Sequence, residues 1–424
     1  MTQAAPSPFD VAAILVLLAA ALGYANHRLF KLPTAVGMTL MGALASLAII
    51  AAGAAFPSWG FAPMVERILI GIDFHAALME GMLSFLLFAG ALHVNWTHMR
   101  ANRAVIFALA TVGVLLSTAI VGVGTWWIAA AMGLQIPLPW ALVFGALISP
   151  TDPVAVMAIL KRAAVPPSLQ ATVAGESLFN DGVGVVIFGI LVAVATGTEE
   201  FTWAHAASDF AQEALGGAAF GLVAGWIAFR AMRSIDEYTV EVMISLAVVM
   251  AGYSIAQALH VSGPVAMAVA GLFIGNAGVA QAMSDETQDY LIKFWELIDE
   301  VLNAVLFLLI GLEVVLIARE PYLLLFGVAA LPLALAARWL SVSAPLFLLR
   351  RWIDLGKLAV PTLVWGGLRG GISIALALSL PNGPYRIPIV AATFVIVLFS
   401  VIIQGGSIGG LIARIGRRDT ADKG

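Results

Sequence analysis

Long apolar runs separated by short polar loops dominate the hydrophobic pattern of this chain. A helix needs about 20 consecutive apolar residues to cross a lipid bilayer, and we place thirteen such spans along the sequence. The predicted spans cover residues 9–26, 32–54, 77–96, 104–132, 138–160, 172–196, 205–229, 238–258, 261–282, 291–316, 321–349, 358–380 and 387–413. The pattern therefore predicts an all-α membrane protein embedded in a lipid bilayer.

The span count suggests two halves of six spans joined by one additional helix. Because the seventh span reverses the direction of the chain, the second half is predicted to be an inverted repeat of the first, a recurring plan of secondary transporters. The predicted units are a first repeat at 9–196, a linker helix at 205–229, a second repeat at 238–413 and a short tail at 414–424. In this arrangement span five (138–160) corresponds to span twelve (358–380).

Lys and Arg residues lie mainly in alternate loops, such as those holding Arg100 and Arg350, whereas the intervening loops hold only Arg67, Arg319 and Arg386. Cytoplasmic loops carry the excess of basic residues. The pattern predicts an N-terminus outside and a C-terminus in the cytoplasm, in an inner membrane of bacterial type.

Composition agrees with a membrane protein and excludes several other classes. Apolar residues make up 61% of the chain and charged residues 11%, with a mean hydropathy of +1.00, far from the roughly 25% charged residues of soluble domains. The absence of cysteine excludes disulfides and thiolate metal sites. A net charge of −4 gives no reason to expect nucleic acid as a partner.

Proline and glycine interrupt the two corresponding spans, and each interruption carries a charge. Span five contains Ser149-Pro150-Thr151-Asp152-Pro153, and span twelve contains Gly366-Gly367-Leu368-Arg369-Gly370-Gly371. A charge at bilayer depth costs roughly 2.5–3.5 kcal/mol on insertion scales, and transporters use such broken helices as ion sites. We expect the two broken helices to cross at mid-membrane and to serve a small cation.

The prolines of span five should leave backbone carbonyls without a helical donor. Pro153 cannot donate to the carbonyl of Ser149. For the same reason Pro150 cannot donate to the carbonyl of Ala146. We expect these oxygens and the Asp152 carboxylate to be hard ligands for a dehydrated alkali cation.

Span six (172–196) adds polar residues at helical spacing. Ser177 and Asp181 share one face, and Glu176 and Asn180 share the neighbouring face, because residues four apart are neighbours on a helix. A single intramembrane acid is sometimes only a partner in a packing ion pair, but several acids beside a double-proline break favour a functional site.

These motifs resemble the signature segments of monovalent cation–proton antiporters, and most closely those of the NhaP-type and sodium–proton exchanger branch. The two main segments are SPTDPVAV at 149–156 and GESLFNDG at 175–182. The likeness continues, over nearly the whole chain, through Phe294-Trp295-Glu296, Asn303-Ala304, Gly311-Leu312-Glu313 and Gly366-Gly367-Leu368-Arg369-Gly370.

The resemblance implies exchange of Na⁺ or Li⁺ for H⁺ by alternating access, without a cofactor and not as an enzyme; a K⁺/H⁺ antiporter of the same fold is the alternative. It implies that Asp181 is the main site shared by cation and protons. Asp152, Ser177 and the Thr151 carbonyl would complete the Na⁺ site. The pair Asn180-Asp181 is associated with electroneutral exchange. We also expect a homodimer.

The two intramembrane arginines need partners, because an arginine cannot lose its proton. The resemblance pairs Glu176 with Arg338 in a bridge that holds span six against span eleven. The alternative, that Arg338 and Arg369 only stabilise the broken core, stays open. Three acids of span ten either attract cations into a cytoplasmic funnel or are interfacial charges; they are Glu296, Asp299 and Glu300.

Two rival classes remain for comparison. An intramembrane aspartyl protease would use Asp152 and Asp181 as two acids that share a proton, but it would not need thirteen spans with an inverted plan. A cation channel would also use carbonyls and carboxylates, but it would more naturally be a ring of short subunits.

Overall fold

The computed structural model describes residues 8–55, 82–162, 165–198, 202–279, 282–312, 321–351 and 355–421, and nearly all of these residues are helical. The α-helices are α1 (Pro8–Ala25), α2 (Thr34–Ala55), α3 (Leu83–Leu92), α4 (Trp96–Ala101), α5 (Arg103–Ala108), α6 (Val114–Ala131), α7 (Leu138–Ile148), α8 (Val154–Arg162), α9 (Pro167–Thr196), α10 (Trp203–Phe210), α11 (Gly216–Met232), α12 (Tyr238–Ala258), α13 (Gly263–Phe273), α14 (Asp285–Leu312), α15 (Pro321–Leu349), α16 (Ala359–Trp365), α17 (Gly371–Leu378), α18 (Arg386–Phe399) and α19 (Gly405–Ala421). Short π-helical segments adjoin them at Asn26–Phe30, Leu109–Gly113, Ala211–Leu215, Ile274–Gly278 and Ser400–Gln404.

Each predicted apolar run overlaps at least one of these helices, which confirms the all-helical membrane architecture. In the described part of the chain, eight helical stretches are long and apolar enough to cross a membrane. They are Phe9–Phe30, Thr34–Gly53, Arg103–Ala131, Pro167–Thr196, Ala204–Met232, Tyr238–Ala258, Tyr322–Leu349 and Arg386–Ile415. Shorter apolar helices lie at Leu83–Leu92, Leu138–Ile148 and Gly263–Gly278.

The predicted number of thirteen spans stays a prediction, and so does the division into two inverted repeats. Spans five and twelve are each split into two helices of at most 11 residues, too short to cross a bilayer singly. Glu313, the last residue of one of the motifs, lies outside the described residues, as do Arg67 and Arg319 of the loops.

The longest described helix, α9, is defined at both ends by its sequence. It begins at Pro167, and proline is favoured at the first helical position because the N–H that it lacks would have no helical partner there. It ends before Gly197, whose φ of 72° lies in the left-handed region that favours glycine. The helix runs for 30 residues and carries four of the predicted site residues.

Small residues bring α6 and α7 close together. A side chain at Gly145 would collide with the backbone carbonyl of Thr118, so only glycine permits this approach. In the same interface, the hydroxyl groups of Thr118 and Ser149 are 3.2 Å apart. Ser149 lies directly after α7, and the contact therefore positions the beginning of the break in span five against α6.

Candidate functional site

The two broken spans meet where both helices are interrupted. Five residues separate α7 from α8, and five separate α16 from α17. The backbone N–H of Asp152 donates to the carbonyl of Leu368 at 2.8 Å, forming an isolated antiparallel bridge. The predicted crossing of the two breaks is thereby confirmed, and its depth in a membrane stays a prediction.

Arg369 connects one break to the other. Its buried guanidinium donates through Nη1 to the carbonyls of Ser149 at 2.6 Å and Pro150 at 3.0 Å. Its own backbone N–H donates to Ser400 Oγ at 2.9 Å. The positive charge thus binds two backbone carbonyls of the break, one of which, that of Ser149, loses its helical donor because residue 153 is a proline.

The freed carbonyls of span five, which we expected as cation ligands, have protein hydrogen-bond donors in the structure, and their role as ligands stays a prediction. The Ser149 carbonyl accepts from Arg369, and the Ala146 carbonyl accepts from the backbone N–H of Ser149 at 3.3 Å. Buried polar groups take protein partners where these are within reach. Sequence reasoning could not predict this partner, because Arg369 is 220 positions away from Ser149.

Glu176 and Arg338 form the ion pair that the resemblance implied. Nη1 of Arg338 lies 2.7 Å from Oε1 of Glu176, and Nη2 lies 2.9 Å from Oε2. The guanidinium also donates through Nε and Nη2 to the Leu363 carbonyl, at 3.1 and 2.8 Å. Both side chains are buried. A bidentate pair with further backbone contacts holds α9, α15 and α16 together.

Asn180 links this ion pair to the break in span five. Its amide donates to Thr151 Oγ1 at 2.8 Å and to Glu176 Oε1 at 3.0 Å. Its carbonyl oxygen accepts from the Thr151 N–H at 3.2 Å. The Thr151 and Ser177 hydroxyls are 3.1 Å apart. With Arg338 included, five predicted site residues therefore form one network, in which the bridging role of Asn180 had not been predicted.

Asp152 and Asp181 lie on the wall of one large cavity, with a volume of about 1340 Å³. Asp181 is 6% exposed. The Asp152 carboxylate packs directly against the backbone of Gly370, where any side chain would collide with it. The structure thus brings the two predicted acids of spans five and six to the same space, beside the crossing of the breaks.

The cavity extends from these acids to the surface of the molecule. Its walls include Glu296, Asp299, Glu300 and Asn303 of α14, and the Asn303 amide donates to Asp299 at 3.0 Å. The surface end is lined by exposed residues of the basic loops: His27, Lys31, His98 and Lys161. The acids of span ten therefore lie along the path from the surface to Asp152 and Asp181.

Comparisons with known proteins agree with the motifs. The family model described as "Sodium/hydrogen exchanger, transmembrane" matches residues 14–414. The chain is 45% identical over 419 residues to the Na⁺/H⁺ antiporter NhaP of Pseudomonas aeruginosa, a match that covers 96% of each sequence. It is 33% identical over 415 residues to the Na⁺/H⁺ antiporter NhaH of Halobacillus dabanensis, covering 95% of this chain and 97% of that protein.

A solved structure shares the fold. The sodium proton antiporter MjNhaP1 from Methanocaldococcus jannaschii at pH 8 superposes with a TM-score of 0.72, covering 95% of this chain and 96% of that one at 20% identity. This likeness confirms the fold class that the sequence predicted.

Proposed function

Because the chain belongs to the family of transmembrane sodium/hydrogen exchangers, we propose that it is an antiporter that exchanges Na⁺ for H⁺ across a membrane. The members of this family are transporters. Membership therefore argues against the two alternative functions, an intramembrane protease and a cation channel. The similarity to NhaP and NhaH, both Na⁺/H⁺ antiporters, supports the choice of ions.

One observation carries the proposal furthest: Asp152 and Asp181 line a single cavity that reaches the surface. Carboxylate oxygens bind alkali cations and protons alike, so a cation entering the cavity meets the groups that also take up protons. The Thr151 carbonyl and the Ser177 hydroxyl, which lies 3.1 Å from Thr151 Oγ1, supply neutral oxygens from the same two segments. In this proposal Asp181, Asp152, Ser177 and Thr151 form the Na⁺ site.

The mechanism is competition at Asp181. When a proton occupies this carboxylate, its charge is lost and the cation leaves; when Na⁺ arrives, the proton is released. Alternating access then moves the loaded site to the other side, as in transporters built around broken helices. Since each side loads the ion that its own gradient supplies, the Na⁺ gradient drives proton movement or the reverse.

Electroneutral exchange belongs to the same proposal. Glu176 is bound on both carboxylate oxygens by Arg338, so the guanidinium balances its charge within the protein. Asn180 has no titrating group. If Asp152 stays ionised to hold the cation, one proton on Asp181 replaces one Na⁺, and no net charge moves.

The membrane arrangement is proposed on the sequence pattern. We propose an inner-membrane protein with its N-terminus outside and its C-terminus in the cytoplasm, so that the cavity with its basic mouth opens to the cytoplasm. Apolar side chains of α1 such as Phe9 and Leu17 are 80% and 69% exposed, a surface for lipid or for the second copy of a homodimer.

The test is ion-driven proton movement in proteoliposomes. Purified protein is reconstituted with a pH-sensitive dye, and Na⁺, Li⁺ and K⁺ gradients are imposed in turn. We expect a Na⁺ gradient to move protons and the neutral variant Asp181→Asn to abolish this movement. The matched control is Asp285→Asn, which makes the same change at an exposed aspartate.

Two outcomes would contradict the proposal. Proton movement driven only by K⁺ would identify a K⁺/H⁺ antiporter of the same fold. Movement at the wild-type rate in Asp181→Asn would remove this carboxylate from the mechanism, provided that the variant is correctly folded by size-exclusion chromatography.

A further inference from the structure

Glu241 is a buried carboxyl group that the proposed transport cycle does not use. It lies in the first turn of α12 and is 0% exposed. Its Oε1 accepts a hydrogen bond from Thr287 Oγ1 of α14 at 3.3 Å. Its Oε2 is buried and has no hydrogen-bond partner among the described residues. Burying an ionised carboxylate is costly unless its charge is compensated, and the neutral groups that hydrogen-bond Glu241, the Thr287 hydroxyl and the backbone of Glu237, supply no positive charge.

None of the charged groups around Glu241 in the described part of the chain supplies a positive charge that pairs with it. Four helices pack against α12; α3 and α13 carry no charged residue, and α11 carries only Arg230, which is exposed. Beside Thr287, α14 carries Asp285, Glu286, Asp289, Tyr290 and Lys293. Lys293 is bound to Asp289 at 2.6 Å. On the side of α12 itself, Asp236 and Glu237 add further negative charge. Within the described residues, no cation pairs with Glu241.

A proton fits this position better than a metal ion. Glu241 does not line the large cavity, and its buried Oε2 leaves no route for a hydrated cation. A proton needs no space and removes the uncompensated charge. Burial disfavours the ionised form of the carboxyl group, whereas the beginning of a helix favours negative charge. Because the two effects oppose each other, the carboxyl group can still lose its proton as the pH rises.

Movement at Glu241 would be transmitted to the cavity through α14. One turn after Glu241, Ser245 Oγ accepts from Nε1 of the fully buried Trp295 at 3.0 Å. The Trp295 ring packs on Phe88 of α3, with 4.6 Å between ring centroids. The next residue of α14, Glu296, lies in the cavity wall. Thr287 precedes Glu296 by nine residues, about 13 Å along a helix.

We propose that Glu241 is a second proton-binding site, separate from Asp181, whose protonation holds α12 against α14 and whose ionisation loosens that interface and repositions the cavity wall. The carboxyl group senses pH without carrying transported protons. The site goes beyond the proposed antiport activity, because proton binding at the α12–α14 interface does not depend on which ion is exchanged.

The first test is thermal stability in detergent across a pH series. Glu241→Gln keeps the shape of the side chain and removes its ionisable proton. The matched control is Glu237→Gln, which makes the same change at an exposed glutamate one turn earlier. In the wild type, ionisation of Glu241 lowers the melting temperature as the pH rises. We expect Glu241→Gln to lose that step and Glu237→Gln to retain it. The same pH dependence in all three proteins would overturn the proposal.

The second test is the pH profile of Na⁺-driven proton movement in proteoliposomes. The step seen in stability should also appear in the wild-type rate and be absent from Glu241→Gln. A step in stability without one in the rate would overturn the transmission to the cavity. If no protein exchanges Na⁺ for H⁺ at all, the antiport proposal fails while the stability series still decides the proton site.

A second variant covers the case in which Glu241→Gln does not fold. Thr287→Val removes the donor to Oε1 at nearly constant volume. A hydrogen bond from a hydroxyl stabilises the ionised form more than the neutral form, so its loss should move the stability step to higher pH. An unmoved step in Thr287→Val would contradict the assignment.

Discussion

Glu176 and Asp181 lie on the same helix, but their surroundings differ, and we propose different roles for the two carboxylates. Glu176 is 1% exposed and bound on both oxygens by Arg338. Asp181 lies on the wall of the cavity. A carboxylate fixed by a guanidinium is a structural element, whereas one that faces water can exchange its proton for a cation. The residue type alone does not distinguish these two roles.

The ion pair should therefore matter more for stability than for ion binding. Removing one partner of a buried pair leaves an uncompensated charge and costs roughly 3–5 kcal/mol. We expect Glu176→Gln and Arg338→Gln each to lower the melting temperature in detergent, measured by differential scanning fluorimetry, more than Asp181→Asn does. Melting of both variants at the wild-type temperature would show that the pair does not stabilise the protein.

At the scale of the helices, the sequence predicted the elements well and their contacts only in part. Pro150 and Pro153 located the break between α7 and α8, and glycines located the one between α16 and α17, because these residues interrupt helices by their own geometry. The contact of Arg369 with the Ser149 carbonyl depends on how two distant segments cross. No local pattern encodes that geometry.

The network around Asn180 illustrates the same limit. The spacing of four residues predicted that Asn180 and Glu176 share a face, and the structure joins them at 3.0 Å. The bonds of Asn180 to Thr151 join different helical segments, and only the fold brings these together. Asp299 and Asn303 are also four residues apart, so the same helical spacing could have predicted the hydrogen bond between them.

The crossing of the two breaks gives a prediction for Gly370. A methyl group at this position would collide with the Asp152 carboxylate, and displacement of a reacting group by about 1 Å can cost on the order of 100-fold in rate. We expect Gly370→Ala to lower Na⁺-driven proton movement by about tenfold or more.

The matched control is Gly189→Ala on α9, where an added methyl group meets open space. Both variants add the same group, so the comparison isolates the contact with Asp152. Equal exchange rates in the two variants would mean that the position of the Asp152 carboxylate does not limit transport.

At the scale of the whole molecule, the cavity leads from the basic loops to the two acids that line its inner end. In the proposed cycle, which exchanges one proton at Asp181 and keeps Asp152 ionised, one Na⁺ would move against one H⁺. We expect exchange in proteoliposomes to be indifferent to a membrane potential imposed with potassium and valinomycin. A reversal condition that shifts with voltage would refute electroneutral exchange.

The most direct measurement of competition at Asp181 is proton release on Na⁺ binding, without transport. Purified protein in weakly buffered detergent solution is titrated with NaCl at a pH where Asp181 holds its proton, and a pH-sensitive dye reports the release, with choline chloride as the control for ionic strength. We expect about one proton to be released per bound Na⁺ in the wild type and none in Asp181→Asn. Saturable Na⁺ binding without proton release, or unchanged release from Asp181→Asn, would contradict competition at Asp181.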